Sequence, residues 1–394
     1  MSTRPSEVPQ PEPEAGRGDC GDSAGSAGSA DSSGSGEDRG GRPDGDGPAA
    51  GSTGSAGSAG EPGGDSGDGE PPAGDWRLFR GNGTSRPVRF PKAPKWRRFT
   101  PVDHDARPDP KAGTKSRSNL PYLIEPRHAD VVNAALHLRR PLLVTGPAGT
   151  GKSSLARAIA YELQLGELLR WPVNSRSTVR DALYQYDAIG RLRETTLRRD
   201  RGEEEPSIGT FIRLGPLGTA LVPAKRPRAL LVDEMDKGDV DLPNDLLTVF
   251  EEGVFDIPEL TRLPEEFEYV PVETADRGDP VRVRRGVVQC HEFPVVVITS
   301  NGERDFPPAF LRRCVRLNLP VPGEERLRAI VAAHLGESAL RDADDLIETF
   351  LRRRAPGELA TDQLLNAVFL RVGGVDLDAD GLLDAVLHQL TGSM

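Results

Sequence analysis

The chain has 394 residues and a net charge of −11, and its composition changes sharply along its length. Its three cysteines, Cys20, Cys290 and Cys314, lie far apart, which argues against a disulfide framework and indicates a reducing compartment. No apolar run approaches the ~20 residues that span a bilayer, and the acidic N-terminus does not resemble a signal peptide, so we expect a cytoplasmic protein that contacts no membrane.

The first 75 residues consist mostly of Gly, Ser, Ala, Pro and acidic residues. They contain almost no large apolar side chain, so they cannot bury enough surface to offset the entropy lost on ordering. We therefore predict a disordered acidic tail over residues 1–75. Its repeats of Gly, Ser and Ala are typical of a low-complexity linker rather than of a solenoid.

Residues 76–118 form a basic, aromatic stretch that prolines interrupt. It carries 3 acidic and 12 basic residues, whereas residues 1–75 carry 15 acidic and 4 basic ones. Aromatic side chains among Arg and Lys are typical of a single-strand nucleic-acid contact, because bases stack on aromatic rings. The alternative is an arm that packs its Trp and Phe side chains on the folded domain or on a neighbouring subunit. We favour the packed arm, because prolines stiffen such a segment and no RNA-binding motif is present.

Residues 119–320 alternate predicted helices with short apolar strands. Four apolar runs are predicted strands: 141–145, 169–173, 228–234 and 294–301. Strands that are apolar on both faces and separated by helices indicate a parallel sheet covered on both sides. After Pro320, four segments show helical periodicity with no strand between them. The predicted fold class is therefore α/β, with an αβα sandwich over 119–320 and a small all-helical domain over 321–394.

A phosphate-binding loop is predicted between the first strand and the helix that follows it. The segment reads Gly146-Pro147-Ala148-Gly149-Thr150-Gly151-Lys152-Ser153 and fits the pattern G-x-x-x-x-G-K-[ST]. The glycines let backbone N–H groups curl around phosphates, Lys152 supplies a cation to the β- and γ-oxygens, and the Ser153 hydroxyl can bind Mg²⁺. The helix N-terminus, at Ser154, adds its own affinity for anions. We therefore expect residues 146–154 to bind nucleotide phosphates.

Two acidic residues, Asp233 and Glu234, close the predicted strand 228–234. A carboxylate at the C-terminal end of such a strand can bind phosphate-bound Mg²⁺, and we assign this role to Asp233. Glu234, one position later, can polarise the attacking water. A solvated strand end is the alternative, and the phosphate-binding loop argues against it.

Two further candidates follow the strand 294–301. Asn301 can hold the attacking water or the γ-phosphate without adding negative charge, although Asn-Gly is also a common turn. An arginine of the segment 307–313 can reach the γ-phosphate of a neighbouring subunit and stabilise charge in the transition state. A salt-bridged surface arginine is the alternative interpretation.

With these elements in this order, residues 120–390 resemble an AAA+ ATPase, a P-loop NTPase, and within that group the MoxR branch. The resemblance extends beyond the phosphate-binding loop to Gly215-Pro216-Leu217 and to the segment 244–252. By the same match, Asn301 is the residue called sensor 1 and Arg313 is the arginine finger. The resemblance therefore implies the catalytic set Lys152, Glu234, Asn301 and Arg313.

The match also contains two insertions and two departures. A helical insert is expected at about 181–213 and a β-hairpin at about 270–288, and the resemblance suggests that such inserts face the pore of a ring or a partner. Arg312 stands where the family more often has an acid, which leaves the choice between Arg312 and Arg313 open. Gln363 stands where the family usually has the sensor 2 arginine, so nucleotide-dependent movement of the helical lid is expected to be weaker or to be controlled by other residues.

The resemblance implies a hexameric ring that hydrolyses ATP with Mg²⁺ and remodels or activates a protein partner in a chaperone-like manner. MoxR-like ATPases often work with von Willebrand A-domain proteins, and the acidic tail and long inserts most resemble those associated with bacterial conflict systems. The adenine base of the nucleotide is expected to bind near Tyr122-Leu123. Two alternatives stay open: a nucleic-acid-directed NTPase motor, which the basic stretch supports, and a slow nucleotide-gated scaffold, which the uncharged Gln363 supports.

Overall fold

The fold is described from a computed structural model of the chain. The structure describes residues 76–99, 122–276, 280–353, 359–377 and 381–388. Several of the sequence predictions fall outside these residues: the tail over 1–75, the part of the basic stretch over 100–118, and the hairpin tip at 277–279.

The described residues alternate helices and strands. The strands are β1 (Leu142–Thr145), β2 (Leu169–Pro172), β3 (Tyr184–Tyr186), β4 (Ile212–Leu214), β5 (Ala229–Asp233), β6 (Val254–Asp256), β7 (Tyr269–Val272), β8 (Val281–Arg284), β9 (Val287–Gln289), β10 (Val295–Ser300) and β11 (Val315–Asn318). The α-helices are α1 (Pro126–Leu138), α2 (Lys152–Glu162), α3 (Val179–Leu183), α4 (Ala188–Arg201), α5 (Pro216–Ala220), α6 (Leu242–Glu252), α7 (Pro258–Thr261), α8 (Pro308–Leu311), α9 (Glu324–Leu335), α10 (Glu337–Arg341), α11 (Asp344–Arg353), α12 (Thr361–Val372) and α13 (Leu382–Val386).

Five strands form a parallel sheet in the order β11-β1-β10-β5-β2. Strand β5, which lies between β10 and β2, is buried at every position, as expected for a parallel sheet with both faces covered. Its side chains alternate between two apolar cores: Leu230 and Val232 belong to one, and Ala229 and Leu231 to the other. The predicted αβα fold is confirmed, and it brings the C-terminal ends of β1, β5 and β10 to one edge of the sheet.

Two smaller antiparallel sheets lie within the insertions. Strands β3 and β4 pair on either side of α4 in the chain, within the region predicted as a helical insert at about 181–213. A four-stranded sheet in the order β6-β9-β8-β7 contains the segment predicted as a hairpin at about 270–288. That sheet is larger than a hairpin because β6 and β9 extend it on one side.

The C-terminal part of the described chain is helical. Helices α9 to α12 pack around their own apolar core, which includes Leu327, Val331, Ile347, Phe350 and Leu364. This helical domain follows the segment Pro320-Val321-Pro322-Gly323, and Gly323 caps the start of α9. Among the residues that the structure describes, no helix is both long enough and apolar enough to cross a membrane.

The described part of the basic stretch, residues 76–99, packs on the sheet domain. The Asn133 Oδ1 atom accepts hydrogen bonds from the backbone N–H groups of Leu78 and Phe79, at 2.7 and 2.8 Å. The buried Glu162 carboxylate accepts from the N–H groups of Arg80 and Gly81, at 2.5 and 2.9 Å. Residues 76–99 therefore form an arm that packs on the folded domain, as the favoured interpretation of the sequence predicts.

Arg97 anchors the end of this arm. Its buried guanidinium donates to the carbonyl oxygens of Arg139, at 2.9 Å, and Phe250, at 2.8 Å, and lies 4.5 Å from the centre of the Phe293 ring. Arg97→Ala would leave two buried carbonyl groups without these partners, at about 1–3 kcal/mol each. We expect a loss of about 2–6 kcal/mol in the free energy of unfolding, measured by denaturant titration. Trp96→Ala, at a neighbouring side chain that is 72% exposed, serves as the control. Equal stability of the two variants would contradict the anchoring role.

Candidate functional site

The phosphate-binding loop predicted at 146–153 lies between β1 and α2, as the pattern requires. Gly149 has a φ of +71° and Gly151, which caps α2, a φ of +87°; both lie in the region that favours glycine. A Cβ atom added at Gly149 would lie 2.4 Å from the Cβ of Ala360, just before α12. The loop therefore contacts the helical domain closely, and only glycine fits at this position.

Lys152 connects the loop to the end of β10. Its Nζ atom donates to the carbonyl oxygens of Gly146 and Pro147, at 2.7 and 2.8 Å, and to Oδ1 of Asn301, at 2.7 Å. Burial lowers the pKa of Lys152, and nearby carboxylates, of which Asp236 has the largest effect, oppose that shift. The structure thus brings together Lys152 and Asn301, which are 149 positions apart in the chain.

Asp233 is buried at the end of β5 and is engaged through both carboxylate oxygens. Oδ1 accepts from the hydroxyls of Ser153, at 2.7 Å, and Thr299, at 2.8 Å. Oδ2 accepts from Nη2 and Nε of Arg170, at 2.6 and 3.2 Å. Burial alone would raise the pKa of Asp233, but these hydrogen bonds outweigh it and lower the pKa, so the carboxylate is ionised.

The pair of Ser153 and Asp233 fits a hard divalent cation. Hydroxyl and carboxylate oxygens are ligands that Mg²⁺ takes, and Mg²⁺ usually keeps waters and phosphate oxygens in its remaining positions. The 2.7 Å hydrogen bond from Ser153 already points the hydroxyl proton at Asp233, which leaves the lone pairs of the hydroxyl oxygen available for an ion.

Glu234 turns out of the strand into the pocket. Its φ of +62° is uncommon for a residue other than glycine, and its backbone N–H donates to the Thr299 hydroxyl at 2.9 Å. The side chain is about half exposed and pairs with Lys237, at 3.0 Å between Oε2 and Nζ. Backbone strain of this kind is common at functional sites, and Glu234 is one of the residues that line the pocket.

Asp236 was not among the predicted site residues. Its side chain is buried, and Oδ2 accepts from the backbone N–H groups of Asn301 and Glu303, at 2.8 and 3.1 Å. Asp236 therefore fixes the turn that follows β10, and this turn sets the position of the Asn301 side chain. The only signal in the sequence was a third acid shortly after the strand.

The two candidate arginines lie outside the pocket of their own subunit. Arg313 forms an ion pair with Glu251, at 2.7 Å between Nε and Oε1, and donates from Nη1 to the carbonyl oxygen of Ala309 at 3.0 Å. The Arg312 side chain is exposed, and its carbonyl oxygen accepts from Arg140 at 2.5 Å. Contact of either arginine with a neighbouring subunit stays a prediction.

Gln363 uses its amide inside the helical domain. Its Oε1 atom accepts from the N–H of Ala360 and its Nε2 atom donates to the carbonyl oxygen of His388, each at 2.9 Å. The helical domain instead presents Arg326 of α9 to the pocket. Arg326 Nη2 donates to the carbonyl oxygen of Leu123 at 3.1 Å. This arginine was missed because no motif marks its position.

The site residues line a cavity of about 660 Å³ between the sheet domain and the helical domain. This volume is typical of a pocket for a small ligand. The arm, the segment before α1 and α9 also contribute to the lining, through Gly81, Gly83, Tyr122, Leu123, Ile330 and His334. The Tyr122 hydroxyl has no hydrogen-bond partner among the described residues, and burial raises its pKa to about 12.

A family model matches this part of the chain. The model describes the AAA domain (dynein-related subfamily) and matches residues 141–314. The match spans the phosphate-binding loop, the acidic pair, Asn301 and both candidate arginines. Residues 141–314 are therefore similar to an AAA domain. Nucleotide hydrolysis of the ATPase type is the general activity of this domain.

Solved structures of NtrX from Brucella abortus show a partial likeness. The complex with ADP is 17% identical, covers 66% of this chain and 53% of that chain, and has a TM-score of 0.32. The complex with ATP is 17% identical, covers 68% and 57%, and has a TM-score of 0.33. This chain thus spans little more than half the length of the NtrX chains. A search of the curated proteins gives no match.

Proposed function

We propose that this chain hydrolyses ATP in a ring of identical subunits and uses the cycle to remodel or activate a protein partner. The observation that carries the proposal is the connected set of side chains at the edge of the sheet. Lys152 contacts Asn301, Ser153 contacts Asp233, and Glu234 faces the same cavity. In this proposal residues 119–320 are the ATPase core and residues 321–394 the lid.

Each side chain has one task in the proposed reaction. Lys152 neutralises charge on the β- and γ-phosphates, and Ser153 and Asp233 would hold Mg²⁺, which supplies further positive charge to the phosphates when bound. Glu234 accepts the proton of the water that attacks the γ-phosphorus. Asn301 orients that water or the γ-phosphate, and its 2.7 Å contact with the Lys152 ammonium places its amide beside the phosphate-binding loop.

An arginine from the next subunit would complete the site. The Arg313 side chain is 37% exposed and that of its partner Glu251 is 46% exposed. An ion pair with this much solvent exposure contributes only about 0–1 kcal/mol to stability. Arg313 can therefore leave Glu251 at low cost when an interface forms. The neighbouring Arg312 side chain is also exposed, so both arginines are candidates for the contact with the next subunit.

Mixing two inactive variants tests a shared site. Arg313→Ala lacks the trans-acting arginine and Glu234→Gln lacks the base, so each alone is expected to be inactive. In a mixed ring, an Arg313→Ala subunit with an intact Glu234 meets the Arg313 of its Glu234→Gln neighbour, at about one quarter of the interfaces in an equimolar mixture. We expect partial recovery of phosphate release.

Arg312→Ala mixed in the same way is the matched comparison for the finger. Recovery with only one of the two arginine variants assigns the finger to that position. Absence of recovery for both variants, at every mixing ratio, would contradict a site shared between subunits.

The partner of the ring is proposed from resemblance to the MoxR branch, in which a von Willebrand A-domain protein is the first candidate. A nucleic-acid-directed motor is less favoured, because residues 76–99 use Phe79 and Arg97 to pack on the sheet domain. Stimulation of ATP hydrolysis by DNA or RNA, with an affinity that falls steeply as salt rises, would reverse this preference.

A further inference from the structure

Arg170 lies in the same cavity and has no task in the reaction described above. It projects from β2, one of the two edge strands of the parallel sheet, and lines the pocket. Two of its guanidinium nitrogens contact one carboxylate oxygen of Asp233, at 2.6 and 3.2 Å. The sequence analysis did not select Arg170, because nothing local links it to an acid 63 positions away.

The two carboxylate oxygens of Asp233 accept hydrogen bonds from different groups: Oδ1 from hydroxyls and Oδ2 from a guanidinium. Oδ1 faces Ser153 and Thr299, on the side of the phosphate-binding loop. Oδ2 faces the Arg170 guanidinium. A divalent cation held by Ser153 and Asp233 would therefore share a single carboxylate charge with Arg170, and each cation weakens the attraction of Asp233 for the other.

The two partners of this ion pair differ in their freedom to move. The Asp233 side chain is only 7% exposed and is fixed by the hydroxyls of Ser153 and Thr299, whereas the Arg170 side chain is 53% exposed. Arg170 aligns with Leu231 in the strand register, so its side chain reaches diagonally to Asp233. The guanidinium can rotate toward solvent or toward phosphates without disturbing the strand.

We propose that Arg170 is a built-in counter-cation for Asp233 that competes with Mg²⁺ and so sets the Mg²⁺ concentration at which the nucleotide site fills. The proposal rests on the nucleotide site described above and adds a residue that controls its metal dependence. In the absence of metal, Arg170 neutralises Asp233 and keeps the pocket attractive to a nucleotide. With Mg²⁺ and nucleotide bound, Arg170 gives up its contact with Oδ2.

The test is binding of fluorescent ADP to the full chain, with Mg²⁺ titrated from an excess of EDTA upward. ADP binding does not require turnover, so the readout is independent of hydrolysis. For Arg170→Gln we expect the half-saturating Mg²⁺ concentration to fall about threefold to tenfold. In EDTA we expect ADP to bind more weakly than to the unmodified chain, because the pocket has lost a cation.

Arg157→Gln is the matched control. Arg157 is exposed, lines the same cavity and does not contact Asp233, so its substitution removes the same charge from the cavity without affecting Asp233. It should weaken ADP binding with and without Mg²⁺ to a similar extent and leave the half-saturating Mg²⁺ concentration in place. Arg170→Lys keeps the charge but lacks the two-nitrogen contact, so its shift should have the same direction and a size of about twofold. This variant carries the test if Arg170→Gln does not fold.

The outcomes separate the two proposals. A half-saturating Mg²⁺ concentration in Arg170→Gln that equals or exceeds that of Arg157→Gln would overturn the role of Arg170 and leave the nucleotide site intact. No binding of ADP or ATP to the unmodified chain at any Mg²⁺ concentration would overturn the proposed function itself.

Discussion

Glu234→Gln is expected to lower steady-state ATP hydrolysis by about 10²–10⁴-fold while ATP still binds. Glutamine has the same shape as glutamate and can stay at the strained position with its φ of +62°. It cannot accept the proton of the attacking water. The binding contacts of Lys152, Ser153 and Asp233 are left in place, so the effect should fall on kcat. The measurement pairs phosphate release with direct binding of ATP.

Glu252→Gln is the matched control for this substitution. Glu252 is an exposed carboxylate at the end of α6 and does not line the cavity, so its loss removes the same charge without touching the site. A Glu234→Gln variant with a turnover within about threefold of the Glu252→Gln variant would contradict the assignment of Glu234 as the base.

Lys152→Ala is expected to weaken ATP binding by about tenfold to a hundredfold and to lower kcat by about 10²–10³-fold. Lys152 is a buried ammonium at the phosphate-binding loop and contacts the Asn301 amide. Its removal takes away both the positive charge for the phosphates and a contact that fixes Asn301. Binding of ATP by fluorescence or calorimetry, followed by phosphate release at saturating ATP, separates the two effects.

The control for Lys152→Ala must address folding, because Lys152 also donates to the carbonyl oxygens of Gly146 and Pro147. Thermal unfolding of the variant without nucleotide reports whether the loop is lost. Lys225→Ala removes an exposed lysine outside the cavity and is the charge-matched comparison. A folded Lys152→Ala chain that binds ATP as tightly as Lys225→Ala would contradict the phosphate-binding role of the loop.

Four strands of the parallel sheet, including β2 at one edge, could be predicted from the sequence, whereas β11 at the other edge could not. Strands β1, β5 and β10 are apolar runs because both of their faces are covered. Strand β11 was missed, since Val315–Asn318 at the sheet edge buries Leu317 but exposes Arg316 and Asn318. A four-residue edge strand with a single fully buried side chain contains no apolar run, so its sequence gives little signal, whereas β2 at the other edge buries both Leu169 and Trp171.

Some residues of the candidate site could also be predicted from the sequence, whereas others could not. The phosphate-binding loop and the acidic pair are local patterns, so the sequence shows them directly. Asp236, Arg170 and Arg326 act through contacts with residues that are distant in the chain, such as the 65 positions between Asp236 and Asn301. Gln363 illustrates the opposite case: resemblance marks its position as one that meets the nucleotide, but its amide is bound to Ala360 and His388.

The most direct test of the central claim is steady-state phosphate release from ATP and GTP over a range of protein concentrations, with Glu234→Gln as the blank. We predict hydrolysis of ATP with a specific activity that rises with protein concentration and vanishes in the variant, as expected of a site completed by assembly. ATP bound without turnover at every concentration, or turnover that persists in Glu234→Gln, would contradict the account.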